Sequence, residues 1–76
     1  MMEERIRPLG ESMEIIRNYN LEFSERGDPY GSRMGIALGK HQERLSEMSE
    51  KDKVVYASKV ADSLETGTLA KEPLEA

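Results

Sequence analysis

Cysteine and tryptophan are absent from this 76-residue chain, and there is one histidine, His41. Each absence narrows what can hold so short a chain together. A domain of this size buries little apolar surface, and small proteins commonly add disulfides, a metal ion or oligomerisation. Without cysteine there can be no disulfide. The positions flanking His41 give no Glu-x-x-His or His-x-x-x-His spacing, so no metal ligand set is expected. Self-association is the route left. Aromatics are scarce too: Tyr19, Phe23, Tyr30 and Tyr56 are all there are.

Charge is abundant but unsegregated. The chain has 15 acidic and 11 basic residues, a formal charge of −4. Residues 1–27 carry six acids and four bases, 28–48 three and three, and 49–76 six and four. No segment makes the basic footprint that drives phosphate binding, so general nucleic-acid binding is not expected. Nor is there a block of like charge of the kind that marks an acidic tail. No apolar run approaches the roughly 18 residues of a membrane span. The opening Met1-Met2-Glu3-Glu4-Arg5 is polar, without a signal-peptide core. The expectation is a cytoplasmic protein with no membrane contact.

The apolar residues that are present recur with helical period. Met2, Ile6, Leu9, Met13, Ile16, Asn20 and Phe23 step alternately by four and three, and Ile15 and Tyr19 widen the stripe. Pro8 belongs in a first turn, where its missing N–H is tolerated. The first helix is therefore expected over about 6–26, with residues 1–5 frayed or extended. Asn20 on that stripe reads either as a boundary residue or as a buried polar group that sets register between helices.

Gly27-Asp28-Pro29 supplies a helix stop, a cap and a first-turn proline within three residues, which predicts a tight αα corner. The second helix follows over about 29–46, with Met34, Leu38, His41, Leu45 and Met48 on its apolar face. Ser49-x-x-Asp52 resembles a capping box and opens a third helix over about 50–65, stopped by Gly67. Val54, Ala57, Val60, Ala61 and Leu64 share its inner face. Tyr56 falls at the edge of that face, and Val55 and Ile36 fall outside their helices' inner arcs. Residues 68–76, with Pro73, read as a mobile C-terminal tail. The fold expected is all-α: one three-helix domain over 1–67, an αα hairpin plus a third helix, that completes its core by self-association.

The second helix also has two unusual flanks. Gly31, Gly35 and Gly39 recur every four residues, although each glycine costs a helix interior about 1 kcal/mol relative to alanine. Such a stripe suggests close approach by another backbone, with Ala57 and Ala61 as a possible counter-surface in the same chain or the stripe meeting a second copy. On the other flank, Arg33, Lys40 and Arg44 form a basic stripe. Arginine binds phosphate or carboxylate bidentately and lysine contributes a mobile charge. Two protomers could gather these residues, with His41, around an anionic small molecule such as a nucleotide.

Catalytic parts are not assembled in the sequence. Gly35-x-x-x-Gly39-Lys40-His41 has the wrong glycine spacing for a phosphate-binding loop, lacks the Ser or Thr after lysine, and falls within a helix. His41 lies on an apolar face, where a hydrogen-bonded core imidazole is the structural expectation. Carboxylate pairs such as Glu11 and Glu14, or Glu22 and Glu25, read as solvated helix faces. The expectation is a non-enzymatic interaction or regulatory protein, a binder or inhibitor of another protein, without a cofactor and homo-oligomeric. The alternative is an oligomeric protein that sequesters an anionic ligand through the basic stripe.

Overall fold

A computed structural model describes residues 6–67 as three α-helices: α1 (Leu9–Arg26), α2 (Tyr30–Ser46) and α3 (Glu50–Thr66). There is no strand among the described residues. The expected conformations of residues 1–5 and of the 68–76 tail lie outside them, as does Met2 of the first stripe.

The helix ends follow local chemistry, although α1 begins at Leu9 rather than near residue 6, with Pro8 at its N-cap instead of inside its first turn. Ser49 is extended (φ −68°, ψ 163°), and its Oγ accepts the Asp52 backbone N–H at 3.3 Å, the N-cap half of a capping box. Gly67 ends α3 in the left-handed conformation (φ 75°, ψ 23°) and its N–H donates to the Leu64 carbonyl. The α1–α2 corner is built differently from expectation. Gly27 has positive φ but extended ψ (75°, −173°), and Pro29, not Asp28, occupies the N-cap position of α2. The Asp28–Pro29 peptide is cis. Asp28 supplies no cap bond to the backbone, because its carboxylate instead accepts the Ser32 hydroxyl. The backbone closes the corner itself: Gly31 N–H donates to the Gly27 carbonyl at 2.6 Å and Arg33 N–H to that of Pro29 at 3.1 Å.

α1 packs along both other helices, while α2 and α3 meet more sparsely. The core joins Ile16 and Phe23 of α1, Met34, Leu38 and Leu45 of α2, and Ala57, Val60 and Leu64 of α3. The inner faces of α2 and α3 are those the sequence implies; Met48 and Val54 reach only half-burial. The α1 face is rotated from the expected stripe. Met13 and Asn20 are exposed, and Ser12 is fully buried. Asn20 therefore sets no buried register within the chain. The buried arc runs through Ser12, Ile16 and Phe23, with Tyr19 half-buried, and hydropathy alone gives a serine no place on it.

Ser12 Oγ has no hydrogen-bond partner and is the one buried side-chain oxygen or nitrogen of that kind among the described residues. A desolvated hydroxyl without a partner costs about 1–3 kcal/mol. Ser12→Ala, which also raises helix propensity, should stabilise the fold by about 1 kcal/mol in urea denaturation. A loss of stability would mean that the hydroxyl bonds within the core.

An ionic clamp absent from the periodicity argument ties the chain entering α1 to α3. Arg7 donates its backbone N–H to Ser58 Oγ at 3.1 Å, pairs through its guanidinium with Asp62, and reaches Glu65 Oε1 at 2.5 Å. Glu11 Oε2 lies 3.7 Å from the Arg7 Nε. The Asp62 hydrogen bond, then the surrounding carboxylates, hold the Arg7 pKa above its ordinary value despite partial desolvation. Sequence periodicity is blind to such a contact because its partners lie more than 50 residues apart.

Candidate functional site

Arg33, Lys40 and Arg44 are all exposed on α2. His41 does not join them: it is 3% exposed, within the core. Its Nδ1 lies 2.8 Å from the Tyr56 hydroxyl, which also accepts from Arg44 Nη1 at 3.3 Å. A guanidinium can only donate, so the tyrosine's own proton is available to His41 Nδ1. The His41 and Tyr56 rings are also in contact, with centroids 5.8 Å apart. Tyr56 thus links α2 to α3 through two residues expected in an anion site. The lack of any recognised motif around Tyr56 left this link illegible before folding.

The glycine stripe likewise divides. A Cβ on Gly31 would overlap the Phe23 carbonyl oxygen, so α2 crosses the end of α1 at backbone contact there. At Gly35 and Gly39 a Cβ would meet nothing within 4 Å. Within the chain, close packing is therefore confined to Gly31, and its partner is α1 rather than the Ala57 and Ala61 of α3, both fully buried in their own right. The reason is helical geometry. A step of four residues turns about 40° past a full circle, so the stripe drifts outward from Gly31, buried, through Gly35, half-buried, to Gly39, exposed.

That drift carries Gly35 to a shallow depression between α1 and α2, lined on the α1 side by Asn20, Phe23 and Ser24. A neighbouring depression that shares Asn20 is lined by Met13 and Arg17 of α1 and Gln42 of α2. Leu21 on α1 and Ile36 on α2 line neither depression. These are the two most exposed of the large apolar side chains among the described residues, at 59% and 64%. Ile36 was already expected outside the inner arc; Leu21 has no signal in the sequence beyond its distance from the stripe. On α3, Val55 is 41% exposed and borders a third, shallower depression with Met48 and Lys59. No helix is long and apolar enough among the described residues to cross a membrane.

Comparison with known proteins adds no relative: no family model, no curated protein and no solved structure matches the chain.

Proposed function

We propose that this chain is a non-enzymatic helical interaction protein that self-associates and acts by binding another protein. One observation carries the reading. Leu21 on α1 and Ile36 on α2 stand more than half exposed, and Gly35 and Gly39 leave open space along α2. Single exposed apolar residues are ordinary. Two of them on adjacent helices, with glycines where a backbone can approach closely, make a surface suited to another helix. The fold does not need either side chain inside, and the glycines weaken α2 without serving its own packing at Gly35 and Gly39.

Self-association also supplies what the composition leaves short. A chain of 76 residues with no disulfide gains stability from each apolar side chain that a second copy covers. Sedimentation equilibrium is expected to show a dimer or larger species at micromolar concentration. A monomer persisting through about 100 micromolar, an association weaker than roughly 5.5 kcal/mol, would overturn the self-association half of the proposal.

A further inference from the structure

The outer face of α1 has a property that neither its composition nor the depressions beside it reveal: it is complementary to itself. Gly10, Glu14, Arg17 and Leu21 step by four, three and four, which puts them on one side of the helix. All four are exposed. Laid antiparallel against a second copy about a two-fold axis between Glu14 and Arg17, the face pairs Glu14 with Arg17 of the other chain, and Arg17 with its Glu14. The same register sets Leu21 opposite Gly10, twice. A Cβ on Gly10 would meet nothing within 4 Å, so the space over that glycine is open to a leucine. Glu14 and Arg17 form no ion pair with each other or with any other described residue, although Arg7, Arg26 and Lys53 all do. Both charges line the open depression beside Gly10 and Met13.

We infer that two copies of this chain associate through α1 as an antiparallel, two-fold pair, with reciprocal Glu14–Arg17 ion pairs at the axis and Leu21 seated over Gly10 on either side. A symmetric contact of this kind requires that one surface contain both members of every pair, and this face does. The inference rests on the proposed self-association and specifies its surface.

Charge reversal tests it. Glu14→Arg places arginine against arginine at both ends of the axis, and Arg17→Glu places glutamate against glutamate. Each should weaken dimerisation about tenfold or more in sedimentation equilibrium, with the helical content and melting of the monomer unchanged because both sites are exposed. The double variant Glu14→Arg/Arg17→Glu should recover the dimer. An equimolar mixture of the two single variants should form a heterodimer, since their charges are then opposite across the axis. Leu21→Glu gives an independent probe of the apolar contact and should weaken the dimer as well. If the parent chain is oligomeric but the reversals leave it so, or the double variant fails to recover, the α1 pairing is wrong while self-association stands. A parent chain that is monomeric overturns both.

Discussion

Gly31→Ala should lower the stability of the fold by about 1–3 kcal/mol, although alanine is the better helix former. The added methyl overlaps the Phe23 carbonyl oxygen, which is backbone and cannot rotate aside. Relief requires the start of α2 to move away from the end of α1, at the corner whose Gly31-to-Gly27 hydrogen bond is 2.6 Å. For a domain this small the melting midpoint should fall by roughly 4–8 °C per kcal/mol. Gly39→Ala is the matched control. It lies on the same stripe in open space, so the propensity gain of up to about 1 kcal/mol should appear as a rise in melting temperature. Equal responses at the two glycines would show that α2 does not cross α1 as described.

Leu38→Ala should have a larger effect, about 2–5 kcal/mol. Leu38 is fully buried at the centre of the inner face of α2, packed in the core with residues from both other helices. Proteins are stable by roughly 0.05–0.15 kcal/mol per residue, or about 4–11 kcal/mol for a chain this long. The truncated variant should thus be largely unfolded or melt far below the parent, by circular dichroism. Ile36→Ala, two residues earlier and 64% exposed, should change monomer stability by no more than about 0.5 kcal/mol. Ile36 lies outside the α1 pairing surface, so the expected effect is weaker binding of a partner protein with the dimer unchanged.

Much of the architecture is local and therefore legible in the chain. Ser49 with Asp52, Gly67, and the Gly27–Pro29 corner mark helix ends through side-chain capping and backbone freedom within a few residues. The inner faces of α2 and α3 follow from period alone, because Met34, Leu38 and Leu45, and Ala57, Val60 and Leu64, are apolar where the helix turns inward. On α1 the same logic slipped, since Ser12 is buried and Met13 is not. Hydropathy ranks side chains by type, whereas burial depends on which arc the neighbouring helices cover.

The candidate surface was only partly readable, and for a related reason. Three glycines in register signalled close approach, but the sequence could not distribute them: the drift of a four-residue stripe leaves Gly31 against backbone and Gly39 in the open. The basic residues were visible as a stripe, yet only folding brings Arg44 and His41 together on Tyr56 of a different helix. The same holds for Arg7 and its carboxylates on α3. By itself the sequence determined an all-α chain, the ends of its helices apart from the start of α1, and most of its core, because capping and periodicity act over a few residues. Tertiary structure alone decided which glycine is packed, which charges are tied down, and which face of α1 is left open. Those are relations between helices, and they depend on how three cylinders are rotated against one another.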